Sequence, residues 1–146
     1  MNNRHLLQNL YERLQRDQIF LRIVLSATIT TSLRDLVNSQ FNTAMRLESE
    51  AANIAASRCW MIYDLQSDAK FFSYTIAKLN MIKARCDPDI ASIIMLYNTK
   101  KTIQTLTDLR HTAAADLRVH SLCQRYIDCQ TAAIQLLRIY CQSRTC

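Results

Sequence analysis

No glycine occurs anywhere in the 146 residues of this chain, and proline occurs once, at Pro88. Average usage of glycine is roughly 7%. Primed hairpin turns, bulges and phosphate-cradling loops all draw on glycine for positive φ. Its absence argues against a β-rich fold, a Rossmann unit and a P-loop, and leaves an all-α chain. Pro88 is then the one strong backbone breaker. It lacks an N–H and disfavours helical geometry in the residue before it. Proline also suits the first helical position, with Asp87 as a cap for the free N–H groups. One helix is expected to end near Cys86 and another to begin at Pro88.

Periodicity fills in the rest. Leu6, Leu7, Leu10, Tyr11 and Leu14 recur at three and four, with Arg4, Arg13, Arg16 and Asp17 between them, so residues 3–30 read as an amphipathic helix. Ser32 and Asp35 have capping-box spacing. They open a stripe of Leu33, Leu36, Phe41, Ala44, Leu47, Ala51, Ile54, Cys59, Ile62 and Leu65. That stripe predicts one long helix over about 32–66, on the order of 50 Å in length. Ser67-Asp68 starts a third helix through Phe72, Ile76, Leu79 and Ile82. After Pro88 a fourth carries Ile90, Ile93, Ile94 and Tyr97, and the polar run from Asn98 to Thr102 reads as a break in it. The pattern returns for a final helix over about 113–142. The expected fold is an antiparallel bundle of four to five helices forming a single domain over 1–146, large enough to hold a core without staples.

The formal charge is +6, from 18 basic and 12 acidic residues spread along the chain. Such a field favours acidic partners, whether nucleic acid, anionic lipid or an acidic protein face, when it does more than keep the protein in solution. Arg118 and Arg125 are seven apart and Arg110 lies eight before Arg118, so the spacing predicts three arginines on one helical edge, extended by Lys78, Lys100 and Lys101. A structured RNA met by its phosphates is the ligand such an edge would suit. The competing reading is a solvated face with Asp108, Asp116 and Asp128 as local partners.

Catalytic and metal chemistry have little footing. His120 and Cys123 share a helical face, but there is no Cys-x-x-Cys, and Cys123 and Cys129 fall nearly opposite each other around a helix. A thiol or histidine in an apolar stripe is more often packed than ligating. The reading is of a non-enzyme with no cofactor, no metal and no identified small-molecule substrate. The start of the chain has no convincing signal peptide, and the run Ile19–Leu25 is too short to span a membrane. A cytoplasmic or otherwise intracellular setting with mostly free thiols is expected for the six cysteines.

The sharper signal is surplus hydrophobicity. Cys59–Tyr63 and Ile93–Tyr97 would be apolar around the whole helix, and Leu136–Cys141 nearly so. A helix apolar all round needs neighbours on several sides. Trp60, Met61, Tyr63, Ile93, Met95, Leu96, Leu136 and Ile139 are therefore the expected interface residues of a protein that self-associates as a homo-oligomer and docks onto a protein partner. Trp60 in particular is expected to fill a second contact, with the helix after Pro88 or with another copy.

Overall fold

A computed structural model describes residues 3–27, 31–65, 77, 88–112 and 116–144. Those residues carry four long helices, α1 (Asn3–Ala27), α2 (Thr31–Ser57), α3 (Pro88–Thr112) and α4 (Leu117–Arg144), and no strand. The helix expected over 67–86 lies outside the described residues, apart from the helical Ala77. Contacts between α1 and α2, α2 and α4, α4 and α3, and α3 and α1 close the four into a ring. Cross-links fix the directions: Gln8 meets Tyr63 and Gln18 meets Glu48, Arg13 meets Thr102, Arg58 meets Asp116, and Ser92 meets Cys141. Every helix is antiparallel to both neighbours. The expected all-α antiparallel bundle is thus the observed one. The chain leaves α2 at the end where α1 and α4 begin and enters α3 at the opposite end.

Two apolar clusters fill the interior. The lower one joins Leu6, Leu10 and Leu14 to Leu47, Ala51 and Ile54, Leu106, and Leu122 and Tyr126. The upper one joins Phe20, Leu21 and Val24 to Leu33, Val37, Met95, Leu137 and Tyr140. The small Ala44, Ala51 and Ala55 are all buried on α2, where they let neighbouring helices come close.

Beside these clusters lies a polar layer that the sequence reading had placed in water. Arg13 and Asp17 are both buried, one turn apart on α1, with Arg13 Nε 3.2 Å from Asp17 Oδ1. Arg13 Nε also donates to Thr102 Oγ1 at 2.9 Å and its Nη2 to Asn98 Oδ1 at 3.3 Å. Asp17 accepts from Tyr126 Oη, from Thr102 Oγ1 at 3.3 Å and from Asn98 Nδ2 at 3.4 Å. Burial pushes the Asp17 carboxyl above its ordinary range, while Arg13 and these donors pull it back. The layer ties α1, α3 and α4 at one height.

It also corrects the break expected at Asn98–Thr102. α3 runs unbroken from Pro88 to Thr112. Asn98 and Thr102 are its contribution to the buried layer, and Thr99 returns its hydroxyl to the Met95 carbonyl at 2.7 Å. Polar residues on the core face of a helix mimic a break in the apolar pattern.

The long helix is shorter than expected, ending at Ser57 and not near Gln66. Cys59 adopts φ of 54°. Its N–H donates to the Ala56 carbonyl at 3.2 Å, and the Trp60 N–H donates to the Ala55 carbonyl at 2.9 Å. This pair of bonds is a Schellman cap with Cys59 in the left-handed position where glycine is usual. Residues 60–65 are not helical. They lie along α1, held by Tyr63 N–H to Gln8 Oε1 at 2.8 Å, Tyr11 Oη to Asp64 at 2.9 Å and Leu65 N–H to Gln15 Oε1 at 2.6 Å. Trp60 is half-buried against the lower cluster, with the Arg58 guanidinium 5.5 Å from its ring centroid. That packing is made from beyond the helix and not from within it. α2 begins at Thr31, which puts Ser32 and Asp35 inside the helix and not at its cap.

Candidate functional site

α4 opens on Asp116. Its Oδ1 accepts the N–H of Arg118 at 3.1 Å and of Val119 at 3.4 Å, and its carbonyl takes the first helical bond from His120 at 2.9 Å. Asp116 is thus the N-cap, and the described part of the final helix starts at Leu117, with 113–115 outside the described residues. The same carboxylate grips Arg58 through two bonds of 2.7 Å, so one fork joins the C-terminus of α2 to the N-terminus of α4. The Arg58 bonds hold the Asp116 carboxyl down to about 2, with the two backbone donors adding to the effect against partial burial.

Beside this fork a groove of about 370 Å³ runs between α2 and α4, lined by Glu50, Asn53, Ile54, Leu117, Arg118, Ser121 and Arg125. Two of the three arginines expected on one edge, Arg118 and Arg125, do share it. Arg110 does not, because it ends α3 and donates to Gln124 in the α3–α4 seam. The eight-residue spacing crossed an inter-helix connection, and helical spacing holds only within a helix. Arg125 is paired with Glu50, and Arg118 reaches Ser57 Oγ at 3.5 Å. Lys100 and Lys101 are exposed on α3, away from this groove, and Lys78 lies outside the described residues. No continuous basic stripe forms among the described residues.

Cys123 is fully buried, with its thiol donating to the Leu106 carbonyl at 3.6 Å, and burial pushes that thiol up to about 11. Cys59, Cys123, Cys129 and Cys141 form no disulfide. Among the described residues no three His, Cys, Asp or Glu side chains converge as metal donors, and no described helix is long and apolar enough to cross a membrane. Asp64, bonded by Gln15 and Tyr11, is held below the usual carboxylate range, while burial and that carboxylate push the Tyr11 phenol up to about 12. These groups fasten 60–65 to α1.

The expected interface residues divide sharply. The apolar run on α3 wraps the helix. Met95 is only 1% exposed and belongs to the upper core, so it is not available to a partner. Ile94 and Leu96 sit half-buried beside it. Ile93 at 58% and Tyr97 at 68% point outward, and on α4 Leu136 at 50% and Ile139 at 61% do the same. The Ser92–Cys141 contact of 3.3 Å sets the register, placing Ile93 level with Ile139 and Tyr97 level with Leu136. Height alone does not join them: Leu136 lines a groove between α2 and α4 with Leu36, Ser39, Gln40 and Thr43, so it does not share a face with Ile93 and Tyr97. Tyr97 had not been singled out, although its position one turn after Ile93 would have found it. Met61 and Tyr63 are exposed too, but on the extended segment beside α1. No protein-family model matches the chain, and no curated protein or solved structure matches it.

Proposed function

We propose that this protein is a non-enzymatic helical interaction module that docks onto a protein partner through apolar side chains exposed on α3 and α4. The observation that carries this reading is that Ile93 and Tyr97 on α3 and Leu136 and Ile139 on α4 are all at least half exposed. Single exposed apolar residues are normal on any protein. Four large ones within the upper half of two adjacent helices are more than scatter, and exposed apolar surface of that extent marks interaction sites. The core does not need them, since Met95, Leu137 and Tyr140 already fill the inward positions of the same turns.

A displayed peptide library, panned in parallel on the wild type and on an Ile93→Asp/Ile139→Asp variant, tests the reading. Ligands recovered on the wild type and lost on the variant support it. Ligands that bind both equally, or none at all, overturn it. Light scattering through the micromolar range separates the use expected from the sequence, self-association: a dimer abolished by the same substitutions would assign these side chains to a second copy. Arg118 and Arg125 alone give less support to a nucleic-acid reading, because Arg125 is spoken for by Glu50 and Arg110 faces another seam.

A further inference from the structure

The groove between α2 and α4 that Leu136 lines holds polar groups the fold leaves without partners. Its volume is about 200 Å³, with Leu36 of α2 and Ala133 and Leu136 of α4 as apolar walls. Gln40 from α2 and Gln130 from α4 line it as well. Gln130 is only 5% exposed, and its side chain forms no hydrogen bond with another described residue. The Gln40 amide nitrogen is shut off from solvent and has no acceptor. Glutamines at the other seams are engaged, Gln8 with Glu12, Gln15 with Asp64 and Gln18 with Glu48. A buried amide without a partner costs stability, and folded chains keep few of them. Two in one groove call for something that completes them.

We infer that this groove binds a small neutral ligand whose carboxamide pairs with Gln40 and Gln130 and whose compact apolar body rests on Leu36, Ala133 and Leu136. The lining selects this chemistry by exclusion. No charged side chain lines the groove, so a carboxylate or an ammonium would be desolvated there without a counter-charge. A hydrocarbon would suit the walls but leave both amides unpaired. A carboxamide brings a carbonyl for the Gln40 N–H, and its own N–H and carbonyl match the Gln130 amide, which both donates and accepts. Size narrows the ligand further. About 200 Å³ falls below the roughly 300–1,000 Å³ of clefts that enclose drug-sized molecules, which suits a body of one ring or a short branched chain. Leu136 is the one residue shared with the docking reading, on which this site does not depend.

The test follows the side-chain amide signals of Gln40 and Gln130 in nitrogen–proton NMR spectra of the full chain, assigned by their loss in Gln40→Met and Gln130→Met. Benzamide is titrated in, beside benzoate and ethylbenzene as charged and apolar analogues of similar size. Benzamide should move both signals to saturation, and each analogue should bind roughly tenfold more weakly or worse. In Gln40→Met/Gln130→Met benzamide should lose its advantage over ethylbenzene, because methionine keeps the side-chain length and removes the amide. Should that variant unfold by thermal melt, the ranking of the three probes on the wild type decides alone. Signals that benzamide never moves, or equal binding of benzamide and ethylbenzene to the wild type, would overturn the inference. So would benzamide binding at full strength in the double variant. An asparagine-containing peptide that moves the same two signals at lower concentration than benzamide would support the site and place its carboxamide on a protein partner.

Discussion

Removing Asp17 should cost more than any change on the surface of this bundle. Arg13 is always charged, and Asp17, 3.2 Å from its Nε, is its only acidic partner among the described residues. Asp17→Leu leaves that guanidinium buried with only the neutral Thr102 and Asn98 for company. Breaking a buried pair from one side costs about 3–5 kcal/mol. The Tyr126 hydroxyl loses its acceptor in the same step. Adding Arg13→Met removes the stranded charge and should recover much of the loss, leaving the Tyr126 hydroxyl unsatisfied at about 1–3 kcal/mol. Adding Tyr126→Phe should recover a further part of the loss, with the buried Thr102 hydroxyl, bonded to Arg13 and Asp17 in the wild type, still unsatisfied at about 1–3 kcal/mol.

Urea denaturation at neutral pH, read as midpoint and slope, gives each step. The order expected is that the single variant is weakest, the double intermediate and the triple the most stable of the three. If Arg13→Met destabilised the Asp17→Leu background further, the argument that an uncompensated charge dominates would be wrong. The pH response supplies a second readout. A carboxyl raised by burial favours the folded state below the ordinary carboxylate range, and that contribution fades as pH rises through its folded pKa. Variants lacking Asp17 should lose that part of the slope.

Asp116 acts in the opposite sense. Its carboxyl is held at about 2 against an ordinary value of about 3.9, so its contribution is present above about pH 4 and is lost as pH falls toward 2. Asp116→Asn should flatten that acid limb in chemical denaturation measured across pH, and Asp116→Ala should cost about 1 kcal/mol at neutral pH through loss of the cap. Cys59→Gly should stabilise the fold by about 1 kcal/mol, because a Cβ in the left-handed region costs that much while the bonds of the cap remain. A lower melting temperature for that variant would show that the Cys59 side chain contributes more than its backbone geometry costs.

The sequence announced its helices through what it lacks, and the same lack concealed where one of them stops. With no glycine to mark a C-terminal cap, Cys59 took the left-handed position, and nothing in its chemistry signals that. The apolar pattern also continued past the stop, because Trp60 and Ile62 fold back onto the lower cluster from the extended segment. Packing demands apolar residues there whether or not the backbone is helical. Pro88 was legible because its effect is local and covalent. The polar layer was not, since Arg13, Asp17, Asn98 and Thr102 satisfy one another across 81 to 89 positions between their helices, and single-helix periodicity can only file such residues as wet. The exposed apolar side chains were half legible. Excess hydrophobicity at Ile93–Tyr97 was visible, but which members point inward depends on the direction of the core, and that sent Met95 in and Ile93 and Tyr97 out.

The same division separates apolar side chains that the core requires from those it does not. Met95, Leu137 and Tyr140 are apolar because folding requires it; large-to-small changes there should cost several kcal/mol, as they do in other cores. Ile93, Tyr97, Leu136 and Ile139 sit in the same turns with half or more of their surface in water. Substitutions at exposed positions away from caps and ion pairs usually change stability by no more than about 0.5 kcal/mol, so serine at Ile93 and Ile139 should leave the melt nearly unmoved. Stability therefore gives no reason for apolar side chains at these four places, and their solubility cost is real. The proposed docking would supply one, because burial of another molecule's apolar surface against these side chains improves when they are large and apolar.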